Sequence, residues 1–145
     1  MTPEEKQDAS DSKGTILIVD DAMDMRVFIS ALFKTNGYNT VACRDGAAGI
    51  QEAGHIHPDL IVLDVMMPGT GGALMYKHLK SDDTLKQIPV IMLSAVGQSS
   101  FEHYLKMLNI KLETPLPDPE CYLDKPPDAR RLLTTAIRLM RGEKA

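Results

Sequence analysis

At 145 residues, with 43% hydrophobic and 25% charged residues, the chain has the length and balance of one globular domain that buries roughly two-thirds of its unfolded surface. A net charge of −4 leaves no basic footprint for nucleic acid over the whole chain, and no apolar run approaches the roughly 20 residues of a membrane span or marks a signal peptide. Cys43 and Cys121 have no disulfide or metal-site spacing, which favours free buried thiols in a reducing cytoplasm.

The first half of the chain predicts two strand–helix pairs that follow a polar tail. Residues 1–13 contain no large apolar residue after the initiator methionine, so we expect a disordered tail and a domain that spans residues 14–145. The predicted elements are a strand at Thr15–Val19, a helix with Met25, Phe28, Ile29, Leu32 and Phe33 on one face and a stop at Asn36-Gly37, a strand at Tyr38–Cys43, and a weak helix from Gly46 to Ala53 closed by Gly54.

The second half continues this alternation and contains one stretch that fits neither element. Leu112–Pro119 has three prolines at alternate positions, which excludes a helix interior or a central strand. The predicted elements are strands at Leu60–Leu63, Val90–Leu93 and Cys121–Leu123, helices at Leu74–Leu79 and Phe101–Leu108, a polar loop at Ser81–Thr84, and a last helix capped by Asp128 with Leu132, Leu133, Ala136, Ile137 and Met140 on its apolar face.

Five strand–helix repeats predict an α/β fold, a doubly wound parallel sheet with helices on both faces. The run Leu60–Leu63 supports this fold because four apolar residues without alternation suit a strand that is buried on both sides. In such sheets ligands bind at the carboxyl edge of the strands, near the point where the strand order reverses. We therefore expect the functional residues at that edge.

Polar side chains follow the predicted strands at this edge, namely Asp20, Asp21, Asp64, Ser94 and Lys125. Two carboxylates about 4 Å apart repel each other by roughly 4 kcal/mol at an effective dielectric constant near 20, so the three aspartates favour a divalent cation or a shared proton. Oxygen ligands with room for water suit Mg²⁺. A carboxylate beside Mg²⁺, with a hydroxyl and a lysine around it, can act as a nucleophile toward a phosphoryl group.

These residues resemble the motifs of the receiver (CheY-like) domain of two-component response regulators, over residues 14 to about 141. Ile16–Asp21 resembles the acidic-pair strand of that family, Asp64–Pro68 its phosphoacceptor motif, Ser94-Ala95 its Ser/Thr-Ala pair and Lys125-Pro126 its lysine–proline pair. The order of the motifs and their spacings, 43 positions from Asp21 to Asp64 and 30 from Asp64 to Ser94, carry the resemblance. It implies the flavodoxin-like strand order 2-1-3-4-5 and a cis Lys125-Pro126 peptide.

The resemblance also implies a magnesium-dependent phosphoryl transfer. Asp64 would accept the phosphoryl group from a phosphohistidine of a histidine kinase or a histidine phosphotransfer protein. Asp21 and Asp64 would bind Mg²⁺ directly, Asp20 would contribute through water, and Met66 would contribute its backbone carbonyl. The domain would thus catalyse its own phosphoryl transfer and autodephosphorylation and would not be an enzyme in the ordinary sense.

The remaining family residues imply a conformational switch. Lys125 would pair with the acyl phosphate, the Ser94 hydroxyl would move to a phosphoryl oxygen, and Tyr122 would turn inward into the vacated space. The surface formed by the predicted fourth helix, the fifth strand and the last helix would change for a downstream partner. The resemblance leaves open the identity of that partner and the choice between a monomer and a phosphorylation-linked dimer.

Simpler interpretations exist for each residue taken alone. Asp20 and Asp21 could cap the first helix, Asp64 and Ser94 could form turns, Lys125 could be a surface charge, and Tyr122 could pack at the edge of the sheet. Two other functions also remain open. A pseudo-receiver would be an interaction module with an inert acidic edge, and an aspartyl-phosphate phosphohydrolase would favour a second acid where this chain has Met66.

The interval between Ser94 and Lys125 is 31 positions, which is longer than is usual in the family, and the extra length falls in a proline-rich segment at about residues 109–119. We expect this segment to alter the partner-binding face. Deletion of Leu112–Pro119 should then change the affinity for a partner protein, and an unchanged affinity would count against this role. Four residues, Gly142–Ala145, follow the last predicted helix, so both a stand-alone receiver and a piece of a longer chain stay open.

Overall fold

The computed structural model describes residues 12–65, 71–95 and 116–143. The tail predicted for residues 1–13 falls almost entirely outside these ranges, and so do Met66, the predicted helix at Phe101–Leu108 and the first half of the proline-rich segment. The predictions for those residues therefore stay predictions.

Within the described residues, the strands form one five-stranded parallel sheet in the order β2-β1-β3-β4-β5. This confirms the doubly wound α/β fold and the strand order 2-1-3-4-5. Every predicted strand is present, with bounds that differ from the prediction by one residue at most. The strands are β1 Thr15–Val19, β2 Asn39–Cys43, β3 Leu60–Asp64, β4 Val90–Ser94 and β5 Cys121–Asp124.

Four described helices accompany the sheet: α1 Met23–Thr35, α2 Gly46–Ile56, α3 Gly72–Ser81 and α4 Ala129–Met140. Two predicted bounds were wrong. Helix α2 continues through Gly54 and ends where His57 adopts a left-handed conformation with φ of 45°. Helix α3 begins two residues before the predicted Leu74, because Gly72 lies against the end of β3 and starts the first turn there.

The sheet is buried on both faces, which explains the apolar runs without alternation. On one face, Leu17, Val19, Ile61 and Leu63 pack with residues of α2 and α3. The other face packs against α1 and α4, and its buried residues are Ile16, Ile18, Leu60, Val62, Ile91, Leu93, Leu123, Ile29, Phe33, Leu132, Ala136 and Leu139. Burial on both faces fixes the register, because a shift of one residue would move each side chain to the opposite core.

The helix faces match the predicted apolar patterns in part. Ile29 and Phe33 of α1 are buried as expected, but Phe28 is 38% exposed. Leu74 of α3 is 48% exposed, and the face of α4 buries Leu139, which the predicted pattern omits, while Ile137 is only half-buried. Since each of these positions lies at the margin of an apolar stripe, the tertiary contact decides which residue turns inward.

Residues 116–119, which are the described end of the proline-rich segment, and the adjacent Glu120 contact α3. Leu116 joins the core, and the buried Tyr76 hydroxyl donates a hydrogen bond of 2.5 Å to the carbonyl of Pro117. The ammonium of Lys80, whose side chain is 4% exposed, donates to the carbonyl of Ile88 at 3.1 Å and pairs with Glu120 at 3.0 Å. Burial, followed by the charge of Glu120, raises the pKa of Tyr76, so its hydroxyl stays protonated as a donor.

Cys43 is buried, as predicted, and Cys121 is half-buried. Burial, followed by the charges of Glu52 and Asp45, raises the pKa of Cys43 to about 11. Its thiol is therefore protonated and unreactive at neutral pH. None of the helices in the described ranges has the length and apolar character that a membrane span requires.

Two glycine substitutions test the effects of close packing and of helix propensity on stability separately. A Cβ at Gly72 would collide with the Asp64 carbonyl oxygen and lie 2.8 Å from the Val65 carbonyl oxygen, whereas a Cβ at Gly54 would meet nothing within 4 Å. We expect Gly72→Ala to lower the free energy of unfolding by about 2 kcal/mol or more, because backbone must move. Gly54→Ala should raise it by about 0.5–1 kcal/mol, because alanine favours a helix. Urea titration of both variants tests this, and equal stability of the two would contradict it.

Candidate functional site

The parallel register brings four strand ends to one edge of the sheet. Val19 of β1 is level with Leu63 of β3, and Asp64 is level with Leu93 of β4. Backbone hydrogen bonds continue the ladder past the strand ends, from Val65 N to the Leu93 carbonyl at 3.0 Å and from Lys125 N to the Ser94 carbonyl at 3.1 Å. The residues at these ends therefore have fixed backbone positions relative to one another.

The Lys125 ammonium lies between two buried carboxylates. Its Nζ is 3.0 Å from Asp64 Oδ2, and it is 3.1 Å from Oδ1 and 3.0 Å from Oδ2 of Asp20. Asp20 is 1% exposed and Asp64 is 2% exposed, so this ammonium provides charge compensation for two carboxylates that are almost removed from water. The structure therefore brings Asp20, Asp64 and Lys125 together at the carboxyl edge of the sheet.

The backbone around Asp20 holds its carboxylate in one orientation. Asp20 Oδ1 accepts a hydrogen bond from Ala22 N at 2.8 Å, and the Arg26 guanidinium of α1 donates to the Asp20 carbonyl at 2.8 Å. Ala22 is the N-cap residue of α1, and the cap has no side-chain hydrogen bond. The simpler interpretation of Asp20 and Asp21 as helix caps is therefore wrong.

Burial and charge act on Lys125 in opposite directions. Burial is the largest single effect and lowers its pKa, but the hydrogen bonds and charges of Asp20 and Asp64 together outweigh it, so the pKa of Lys125 is raised. The amine is thus a permanent cation at neutral pH. A fixed positive charge at this position can stabilise negative charge that develops on groups bound near Asp64.

The acidic cluster fits a divalent cation. One carboxylate oxygen from each of Asp20, Asp21 and Asp64 lies within 4.8 Å of the other two. Asp20 Oδ2 is buried and accepts no well-formed hydrogen bond, although the ammonium is 3.0 Å away. Asp21 is exposed and leaves one side open to water. Carboxylate oxygens with access to water are the environment that Mg²⁺ prefers.

Ser94 and Tyr122 lie on the neighbouring strands β4 and β5. Ser94 is 3% exposed and level with Asp124, and Tyr122 is half-buried and packs against the core on the α3 face. Together with Arg131 of α4, the two residues line a cavity of about 130 Å³. The structure thus places a cavity next to Ser94 and Tyr122.

The sequence patterns predicted the side chains at the strand ends but not the residues around them. The structure brings Asp20, Asp21, Asp64 and Lys125 together and places Ser94 at the adjacent strand end, while Met66 lies outside the described residues. Arg26 and Arg131 were not predicted. Arg26 follows Asp20 by six positions at a helix start, a spacing that gives no recognisable signal without knowledge of the turn between them.

A doubly wound parallel sheet with three carboxylates and a lysine at its carboxyl edge defines a flavodoxin-like α/β protein with a site for a cation and an anion. The response regulator receiver domain family matches residues 16–137, and the chain belongs to this family. It is therefore a receiver domain of two-component signalling.

Individual relatives agree with this assignment. The hybrid signal transduction histidine kinase D of Dictyostelium discoideum is 33% identical over 142 residues, which are 97% of this chain but 8% of that protein. The polar-differentiation response regulator DivK of Brucella ovis is 29% identical over 124 residues, or 86% of this chain and 93% of DivK. The receiver domain of a histidine kinase from Syntrophus aciditrophicus superposes with a TM-score of 0.74 at 27% identity, over 89% of this chain and 91% of that one.

Removal of the Lys125 charge should destabilise the fold. We expect Lys125→Met to lower the free energy of unfolding at pH 7 by about 3 kcal/mol, because Asp20 and Asp64 lose their shared cation. The control Lys86→Met removes the exposed pair with Asp83 and should cost less than about 0.5 kcal/mol. Asp20→Asn in the Lys125→Met background should recover part of the loss.

The ion pairs of Lys125 also predict that the stability of the fold depends on pH. The pKa of Lys125 is raised in the folded state above its ordinary value of 10.5, so its stabilisation is present below that pH and is lost as the pH rises through the raised value. The difference in unfolding free energy between the parent chain and Lys125→Met should therefore shrink in strongly alkaline solution. A difference that stays constant over this range would contradict the ion-pair assignment.

Proposed function

We propose that this receiver domain is a phosphorylation-dependent switch in which Asp64 accepts a phosphoryl group from a phosphohistidine. The observation that carries the proposal is the Lys125 ammonium, 3.0 Å from Asp64 Oδ2, within a cluster of three carboxylates. This set can balance the charge of a phosphoryl group, with the Lys125 ammonium beside Asp64 and a cation that the carboxylates would bind. Family membership supports the same role.

In the proposed transfer, a carboxylate oxygen of Asp64 attacks the phosphorus of the donor. The new P–O bond forms while the P–N bond of the phosphohistidine breaks, and the imidazole leaves with the electron pair and takes up a proton from water. Lys125 would stabilise the negative charge as it passes from the Asp64 oxygen to the phosphoryl oxygens, because its ammonium already lies at hydrogen-bond distance from Oδ2. The protein contributes positioning and electrostatic stabilisation. The acyl phosphate on Asp64 forms from the carboxylate and the donor alone, without a further covalent reactant.

Mg²⁺ is the proposed cofactor. Asp21 and Asp64 would hold it directly, Asp20 would hold it through water, and the backbone carbonyl of Met66 would complete the protein ligands. When bound, the ion neutralises phosphoryl oxygens and lowers the repulsion between the carboxylates and the incoming phosphate. Because Asp20 Oδ1 accepts the Ala22 hydrogen bond, Oδ2, which accepts no well-formed hydrogen bond, is the oxygen that would serve this role.

The proposed response to phosphorylation runs through Ser94 and Tyr122. The Ser94 hydroxyl would bind a phosphoryl oxygen, and Tyr122 would turn toward the space that Ser94 leaves. The size of the change is limited by the contacts that phosphate makes in only one of the two states. A downstream protein would recognise the altered surface around β5 and α4.

The partner that supplies the phosphoryl group would be a histidine kinase or a histidine phosphotransfer protein, and both reactants would meet in the cytoplasm. The domain would catalyse only its own phosphorylation and dephosphorylation. Phosphorylation would act on the monomer or promote a dimer. A pseudo-receiver with an inert acidic edge is the alternative that the following experiment separates.

Incubation with Mg²⁺ and acetyl phosphate, followed by mass spectrometry of the intact chain, tests the proposal. We expect a mass gain of one phosphoryl group in the parent chain and in the control Asp83→Asn, and none in Asp64→Asn. Chelation of Mg²⁺ by EDTA should abolish the gain. Asp83 is exposed and, within the described part of the chain, pairs with exposed Lys86 alone at 3.2 Å, so its substitution should leave the acidic cluster intact. A parent chain that stays unmodified would support the pseudo-receiver.

A further inference from the structure

A groove of about 400 Å³ separates the edge strand β5 from helix α4. Its walls carry three arginines and two threonines of α4, with Cys121 of β5 on the opposite side, and the α4 residues are Arg130, Arg131, Thr134, Thr135 and Arg138. All three arginines are exposed. In the described sheet β5 pairs only with β4, so the groove is reached from the side of the sheet.

The groove carries an excess of positive charge, because three arginines and one aspartate, Asp128, are among its lining residues. Among the residues that the structure describes, no ion pair involves Arg130, Arg131 or Arg138. The carboxylate of Asp128, at the groove's end, caps α4 by accepting the Arg131 backbone N–H at 2.9 Å. In a chain with a net charge of −4, this excess of arginine is a local reversal of charge.

The composition of α4 argues against an ordinary solvated helix face. Solvated faces normally intersperse both signs of charge, but Ala129–Met140 contains arginines and no acidic residue. Arg131, Thr134, Thr135 and Arg138 follow the spacing i, i+3, i+4 and i+7, which places them on one flank of the helix. That flank presents two threonine hydroxyls between two guanidinium groups along the groove.

We propose that this groove binds an acidic segment of a partner protein, with Arg131 and Arg138 as its two anchoring cations. A guanidinium binds a carboxylate through two parallel hydrogen bonds, and the threonine hydroxyls add donors between the two anchors. A peptide is favoured over nucleic acid because the basic flank is short and the net charge of the whole chain would repel a long polyanion.

Arg131 connects the groove to the predicted switch residues. The same residue lines the cavity of about 130 Å³ that Ser94 and Tyr122 also line. A rearrangement of Ser94 or Tyr122 would then alter the wall of a cavity that one of the two anchors shares. This coupling to phosphorylation rests on the proposed function, whereas the preference of the groove for acidic segments does not.

Fluorescence anisotropy with labelled peptides tests the proposal on the full chain. The probes are a peptide of about ten residues in which aspartate and glutamate alternate with serine, and a matched peptide with asparagine and glutamine in place of the acids. We expect saturable binding of the acidic peptide alone, and an affinity about tenfold lower for Arg131→Gln/Arg138→Gln, because two charge-assisted contacts are lost. Circular dichroism checks that the variant is folded.

Arg141→Gln is the matched control, since Arg141 is an exposed arginine at the end of the same helix and does not line the groove. It should leave the affinity within about twofold of the parent value. Equal binding of both peptides, or an equal loss in the control, would overturn the proposal. Tighter binding of a single-stranded oligonucleotide would also overturn it, as would a dimer in sedimentation that Arg131→Gln/Arg138→Gln abolishes.

Adding Mg²⁺ and acetyl phosphate in a parallel titration separates the two proposals. A change in peptide affinity that Asp64→Asn prevents supports the coupling through Arg131. Acidic-peptide binding without any phosphorylation of the chain would sustain the groove while the proposed function fails. Phosphorylation by mass spectrometry without saturable peptide binding would sustain the proposed function and reject the groove.

Discussion

The structure depends on one electrostatic arrangement, a single ammonium shared by two buried carboxylates. Asp20 and Asp64 are each at most 2% exposed, and the free energy of burying their charges is offset chiefly through Lys125. Lys125 lies 61 positions from Asp64 and 105 from Asp20 in sequence, so only the completed sheet brings the three groups together. The site and the fold are therefore stabilised by the same contacts.

The double burial of the sheet makes this arrangement rigid. Alternate residues of β1 and β3 enter two different cores, and a shift of either strand would expose apolar side chains on both faces. The strand ends consequently have little freedom to separate the charges. Close contact between Gly72 and the Asp64 carbonyl adds a further restraint from α3, which begins directly behind the candidate phosphoacceptor. A site that depends on fixed distances between charged groups requires such support.

Sequence patterns predicted the strands and the side chains at their ends because both follow local rules. Apolar runs mark buried strands, and the carboxyl edge of a parallel sheet collects whatever follows them. The failures have a different origin. Gly54 did not end α2, because His57 instead adopts the left-handed conformation at the helix end, and Leu74 stayed exposed because it lies at the margin of the apolar stripe. The contacts of Tyr76 and Lys80 with residues 117 and 120 join positions about 40 apart, and no periodicity reports a contact of that kind.

The surface of the molecule has two charged regions of opposite sign. Carboxylates gather at the carboxyl edge of the sheet, while the flank of α4 carries arginines without acidic neighbours on that helix. An acidic segment is repelled by the first region and attracted by the second, so the field of the protein would orient such a partner before contact. Phosphorylation at Asp64 would add negative charge to the first region and sharpen that division. Arg131 lines both the groove and the cavity next to Ser94 and Tyr122, so the proposed coupling between phosphorylation and partner binding would run through this residue.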